Sequence, residues 1–228
     1  MEKVPFASAV GSLMYAQVCT RPDIAFVVNV LGRYLSNPGL PHWQVAKRVM
    51  RYLQGTKDYM LTFRRSDCLE LTGYYDSDYG DCPDDFKSTS GCIFMLAEGA
   101  VSWKSFKQTL TLTSTMETEY IACYEATCQA IWLKNFITEL GVVESISRPL
   151  TIYCDNSIVV CFSCNDNTTK RSKHFDTKFM FVREKIQEFQ TRVEHILTEL
   201  MIADPLTEGL IVKAFVEHVT RMGVMRFF

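Results

Sequence analysis

Three short strand-like runs lie close together in this chain, at residues 69–78, 91–96 and 100–104. Turn-rich connections such as Ala97-Glu-Gly-Ala100 suit antiparallel hairpins. Strands of this kind need a covering layer, and one follows directly. The longest helical pattern spans about residues 115–140 and is closed by Gly141. Beyond it come a strand at 150–155, a short helix from Asn156, a helix at about 174–189, a strand at 192–197 and a final helical region. This order predicts an α/β fold, a mixed sheet with flanking helices.

The residues before the sheet read differently. Residues 6–54 form three helical segments. Thr20 is the expected N-cap of the second, with Pro22 in its first turn. Ser36-Asn-Pro38-Gly39 ends it. The third sets Trp43, Val45, Val49, Met50 and Leu53 against Lys47, Arg48 and Arg51, an amphipathic pattern with a basic outer face. Three such helices bury a thin core, so they are expected to lean on the following domain or on an upstream one. A strand is expected at 59–63, and Arg64-Arg-Ser-Asp67 is the expected boundary, giving residues 1–66 and 67–228 as two parts. Residues 1–66 hold 9 Lys/Arg against 3 Asp/Glu, while residues 67–228 hold 15 against 23. A basic segment leading into an acidic domain is compatible with a nucleic-acid enzyme, and equally with an ordinary two-part protein.

With 47% hydrophobic and 22% charged residues, the composition is that of a folded globular chain rather than a disordered one. Nine cysteines without regular spacing favour reduced thiols over a disulfide framework. Cys161-Phe-Ser-Cys164 has no second ligand pair nearby, so buried thiols account for it better than zinc. No apolar run approaches the ~18 residues of a membrane span. Met1-Glu-Lys-Val-Pro has the form of neither a signal nor a transit peptide. An intracellular protein, cytoplasmic or nuclear, is expected.

Carboxylates are the candidate chemistry. Asp76 and Asp78 lie on one face of the first strand, and the two-residue period does not choose between them. Either can be a solvated turn acid. Ser114-Thr-Met-Glu117 has the form of a capping box, which occupies Glu117 and leaves Glu119 freer to serve a site. Asp155, at a strand end before Asn156, is placed like an active-site acid and also like a helix cap. Asp204-Pro205 has the same two readings. Lys170-Arg-Ser-Lys173-His174 is a basic cluster at a helix start, suited to phosphate or simply to solvent.

Taken together, these blocks resemble a known family. Tyr75-Asp76-Ser-Asp78-Tyr, Lys87-Ser-Thr-Ser-Gly91, Ser102-Trp-Lys-Ser105, Gln108, Ser114-Thr-Met-Glu-Thr-Glu119-Tyr-Ile-Ala122, Tyr153-Cys-Asp155-Asn156, Ser172-Lys-His174-Phe-Asp176 and Ile202-Ala-Asp204-Pro-Leu-Thr207 are similar, in order, to the ribonuclease H domain of copia-type retrotransposon polyproteins. Ala7–Tyr15, Thr20–Ala25, Arg33–Pro38 and Arg51–Lys57 resemble the end of the preceding reverse transcriptase.

The resemblance implies a ribonuclease H-like fold whose first three strands are antiparallel. It carries the family's acidic quartet onto Asp76, Glu119, Asp155 and Asp204, holding two Mg²⁺ or Mn²⁺ ions that cut the RNA strand of an RNA–DNA hybrid. Lys170, Arg171, Lys173, His174 and Asn156 are the implied nucleic-acid contacts. An upstream reverse-transcriptase domain is a further expected partner. The alternative is a catalytically inactive remnant that at most binds nucleic acid. Four departures bear on it. Phe86 stands where the family has Arg, Met180 where many members have His, and Glu208 where Lys is usual. Gly80-Asp81 inverts the usual Ala-Gly. No Tyr-x-Asp-Asp motif occurs in the chain, so DNA synthesis is not expected of it.

Overall fold

The computed structural model describes residues 4–65, 69–80, 87–109, 114–141, 148–164 and 173–226. Five strands build one sheet: β2 (Thr72–Ser77), β3 (Thr89–Leu96), β4 (Gly99–Lys107), β5 (Leu150–Cys154) and β6 (Thr191–His195), in the order β4-β3-β2-β5-β6. The hairpins β2–β3 and β3–β4 are antiparallel, whereas β5 joins β2 and β6 joins β5 in parallel. This is the mixed sheet that the order of elements predicts, with the antiparallel first three strands of the ribonuclease H-like fold that the resemblance implies. The tight β3–β4 turn puts both Ala97 and Glu98 at positive φ, 53° and 60°. Those angles match the primed turns whose twist suits a hairpin.

Between them, β2 and β3 supply both cores. Tyr75, Cys92 and Phe94 point to one face, where α4 (Thr115–Leu140), α5 (Ser157–Cys164) and α6 (Lys173–Gln187) cover them through Tyr120, Ala126, Leu133, Val159, Phe179 and Val182. Ile93 and Met95, one residue out of step, point to the other face and meet Met201, Leu206, Val219, Met222 and Val224. Strands buried on both faces read as continuous apolar runs rather than alternating ones, which is why β3 shows no polar face.

The N-terminal helices α1 (Phe6–Thr20), α2 (Ala25–Gly32) and α3 (Leu40–Gly55) have a core of their own, built from Phe6, Val10, Leu13, Ile24, Val28, Leu31, Ala46 and Val49. They lean on the second face of the sheet. Ala25 belongs to its core, the Trp103 indole donates to the Gln17 carbonyl at 3.0 Å, and Arg33 donates to the Thr89 hydroxyl at 2.9 Å.

Three expectations need correction. Thr20 is the last residue of α1, not the cap of the next helix, and α2 follows a 3-10 turn at Pro22–Ile24 with no side-chain cap. The reason is Arg21, whose guanidinium turns inward onto Asp23 and closes the corner. Helix α2 also ends at Gly32, before the Ser36–Gly39 turn. Finally, the chain does not finish as helix. After α7 (Val212–Arg221), Gly223 at φ 85° turns it into β7 (Val224–Arg226), which pairs antiparallel with β1 (Tyr59–Leu61).

Candidate metal centre

The parallel register pairs Tyr74 of β2 with Tyr153 of β5. Two residues further along, Asp76 comes to stand beside Asp155, the residue that follows β5. On its other side Asp76 is paired with Gly91 of β3. A Cβ at Gly91 would lie 2.6 Å from Leu206 Cβ and 3.0 Å from Thr207 Cγ2. Glycine therefore lets the 3-10 turn Asp204–Leu206 rest directly on the strand, against Asp76. Glu119 enters from α4 at the same end of the sheet. One ligand oxygen from each of Asp76, Glu119 and Asp155 lies within 4.8 Å of the others. Asp204 is not one of this group of three. It stands close enough for its charge to be felt by Glu119.

The ambiguities left by spacing are settled by hydrogen bonds. Asp78 Oδ1 accepts the Thr89 amide at 2.6 Å and is the turn acid of the pair, while Asp76 accepts the Thr207 hydroxyl. The Ser114 hydroxyl caps α4 by accepting the Glu117 amide at 3.3 Å. Beside Asp155 the cap is Asn156, whose Oδ1 accepts the amides of Ile158 and Val159 at 3.1 and 3.3 Å. The Asp155 carboxylate instead accepts the Thr198 hydroxyl at 2.9 Å. The cap position of the Asp204 turn is held by Ala203, so Asp204 is the first residue of the turn rather than its cap.

Crowding burial and like charge into one place raises the proton affinity of Asp76, Glu119 and Asp204. Burial first, then Asp155, pushes Asp76 up to about 6 against the pull of the Thr207 hydrogen bond. Burial and the charges of Asp76, Asp155 and Glu208 push Asp204 up to about 8. Glu119 is raised well above the usual carboxylate range, mainly by burial and then by Asp76, Asp155 and Asp204. Its Oε2 is buried with no hydrogen-bond partner. A carboxyl group that leaves one buried oxygen without a partner while lying among other carboxylates is a poor arrangement for a protein alone, and it fits a hard divalent cation.

Three further residues shape the site, and spacing gave them no role. The buried Gln108 amide nitrogen lies 3.1 Å from Ser77 Oγ, 2.7 Å from Ser90 Oγ and 2.9 Å from the Thr118 carbonyl. It thereby ties the neighbour of Asp76 to the neighbour of Glu119. Thr198 and Thr207 hold two of the carboxylates, and only proximity in space reveals them. Of the expected nucleic-acid contacts, Asn156 is the α5 cap and Lys173 and His174 open α6. The side chains of Lys173 and His174, and the whole of Lys170 and Arg171, lie outside the described residues, as do Phe86 and Asp81. Met180 is exposed on α6 and Glu208 is exposed after the Asp204 turn. Cys161 is exposed on α5, so it is not the buried thiol expected of it. Among the described residues, no helix is long and apolar enough to cross a membrane.

No family model matches the chain. The retrovirus-related Pol polyprotein from transposon TNT 1-94 of Nicotiana tabacum is 43% identical over 208 residues, which is 91% of this chain and 15% of that protein. The corresponding polyprotein from transposon RE2 of Arabidopsis thaliana is 35% identical over 221 residues, 97% of this chain and 15% of that protein. Among solved structures, a foamy viral protease-reverse transcriptase in complex with dsDNA superposes with a TM-score of 0.54 at 11% identity, over 85% of this chain and 38% of that one. The last likeness is one of fold. The chain thus spans 15% of the length of these curated relatives, and within that span it belongs to the retrovirus-related Pol polyproteins of copia-type transposons.

Proposed function

We infer that the chain is a divalent-metal-dependent ribonuclease that hydrolyses the RNA strand of RNA–DNA hybrids. The observation that carries this reading is the convergence of Asp76, Glu119 and Asp155 within 4.8 Å, with Asp204 beside them. In this reading residues 67–228 form the ribonuclease domain, and residues 1–66 are the helical tail of the polymerase part.

Asp76, Glu119 and Asp155, with Asp204 at the edge, would hold two Mg²⁺ or Mn²⁺ ions through hard oxygen donors. Bound there, such ions supply a nucleophilic hydroxide and stabilise the leaving 3′-oxygen. The chain's own work is to gather and aim the four carboxylates, with Gly91 seating the Asp204 turn and Gln108 joining β2 to α4. Lys170, Arg171, Lys173, His174 and Asn156 are assigned to the hybrid, whose RNA strand is distinguished by its 2′-hydroxyls. Incubation of the protein with an end-labelled hybrid and Mg²⁺ is expected to yield RNA fragments, and Asp76→Asn to yield none. Equal cleavage by the two proteins would reject the assignment.

A second reading draws on Glu208. Its negative charge adds to the burden on both Asp204 and Asp76. A site weakened in this way would bind hybrid without cutting it. Glu208→Lys distinguishes the two: a large gain of cleavage over an inactive parent favours the remnant.

A further inference from the structure

Two of the three converging carboxylates are gripped from one stretch of chain. The Thr207 hydroxyl donates to Asp76 Oδ2, and the Thr198 hydroxyl donates to Asp155 Oδ2 at 2.9 Å. Both threonines come from the segment between β6 and α7, on either side of Asp204. Thr207 is fully buried, whereas Thr198 is exposed. Thr207 Oγ1 also lies 2.9 Å from the Asp204 carbonyl. A hydroxyl has one proton to give, and an ionised carboxylate is the stronger acceptor. The proton therefore goes to Asp76, and the Asp204 turn supplies the brace from which it is given. Just before this segment, at the end of β6, His195 Nε2 lies 3.1 Å from the Asp155 carbonyl, so the backbone of Asp155 is held as well as its side chain.

We propose that Thr207 and Thr198 are positioning residues for a divalent cation, fixing the carboxylate planes of Asp76 and Asp155 while touching neither the cation nor the substrate. A carboxylate has two oxygens. With Oδ2 committed to a hydroxyl, rotation of the group is stopped and the other oxygen is left to the ion. The Asp204 segment thus contributes twice, once through its own carboxylate and once through the two hydroxyls that flank it. This rests on the metal-site part of the reading above and is independent of whether the bound hybrid is cut.

The test is Mn²⁺ affinity of the full chain, read from the electron paramagnetic resonance signal of free Mn²⁺. Thermal unfolding in EDTA and hybrid cleavage are followed in parallel. Thr207→Val keeps shape and removes the hydroxyl, and is expected to weaken Mn²⁺ binding about 10- to 100-fold. Thr198→Val is expected to cause a smaller loss, because water replaces an exposed partner more easily. Thr207→Ser and Thr198→Ser restore the hydroxyl and most of the affinity. Valine variants that bind Mn²⁺ as tightly as the parent overturn the proposal, and so do serine variants that fail to recover binding. Should Thr207→Val not fold, Thr198→Val and the two serine variants decide. A parent that binds Mn²⁺ and cuts no hybrid, with valine variants that bind weakly, supports the threonine assignment and rejects the ribonuclease.

Discussion

Two buried acids, Asp23 and Glu119, show what separates a structural carboxylate from a proposed site carboxylate in this molecule. The Asp23 side chain is fully buried and fully answered. Arg21 Nε donates to Oδ1 at 2.9 Å, Arg21 Nη2 donates to Oδ2 at 2.6 Å, and the Tyr52 hydroxyl donates to Oδ2 at 2.6 Å. Arg21 Nη2 is in turn shared with Thr56 Oγ1 at 2.8 Å. The network ties the α1–α2 corner to the end of α3, and its charge is balanced on the spot. Glu119 is buried to a similar degree, yet one of its oxygens has no partner and its charged neighbours are other carboxylates. Burial without compensation is costly. Such a group is relieved by taking up a proton or by a cation that is not part of the chain.

The sharpest way to expose the contrast is to remove the balanced acid. Asp23→Ala leaves Arg21 buried and unpaired, and is expected to cost about 3–5 kcal/mol in urea denaturation. Mn²⁺ affinity is expected to stay at the parent level, since the network lies in the helical part and not at the carboxylates. A loss of metal binding in a folded Asp23→Ala protein would mean that the two regions are not separable in this way.

Next in size is the effect of the cation itself. Because the folded-state proton affinities of Asp76 and Asp204 are raised, the metal-free folded state holds protons that the unfolded chain has released. Its stability therefore falls as pH rises from about 4 through about 6, for Asp76, and on to about 8, for Asp204. Divalent cation is expected to reverse this at pH 8, adding about 2.7 kcal/mol at a hundred times its dissociation constant. It should add little at pH 5, where protons occupy the site. Thermal melts with and without Mg²⁺ at the two pH values measure the difference. An equal Mg²⁺ effect at both would contradict it.

A smaller effect has the opposite sign to the first. Asp204→Asn in EDTA at pH 8 is expected to stabilise the protein by on the order of 1 kcal/mol, because it deletes one of several mutually repelling charges. One aspartate substitution thus destabilises and another stabilises, according to whether the charge was answered. Destabilisation by both would remove the distinction.

Local patterns in the sequence carry most of the sheet and the long helix. The run 91–96 between turn formers, the Ser114 cap and Gly141 at φ 65° each act within a few residues. Asp76 and Asp78 could not be separated that way. Their difference lies in partners, Thr207 for one and the Thr89 amide for the other, and a period of two treats both alike. Asp155 and Asn156 divided their roles for a similar reason, since one polar pair after a strand can cap or coordinate in either order. Strand β7 was invisible because its three residues make sense only opposite β1, more than 160 positions earlier. Thr20 misled because a good cap residue was overridden by the inward turn of Arg21. Thr198 and Thr207 carry no local signal of their task, as each acts on a carboxylate far away in sequence.

Whether the clustered acids at the end of β2 form a cation site is decided by anomalous diffraction from Mn²⁺-soaked crystals. An anomalous peak is expected about 2 Å from oxygens of Asp76, Glu119 and Asp155, and is expected to be lost in Glu119→Gln crystals. Ordered carboxylates in millimolar Mn²⁺ with no peak between them, or with the only peak elsewhere on the surface, would contradict it.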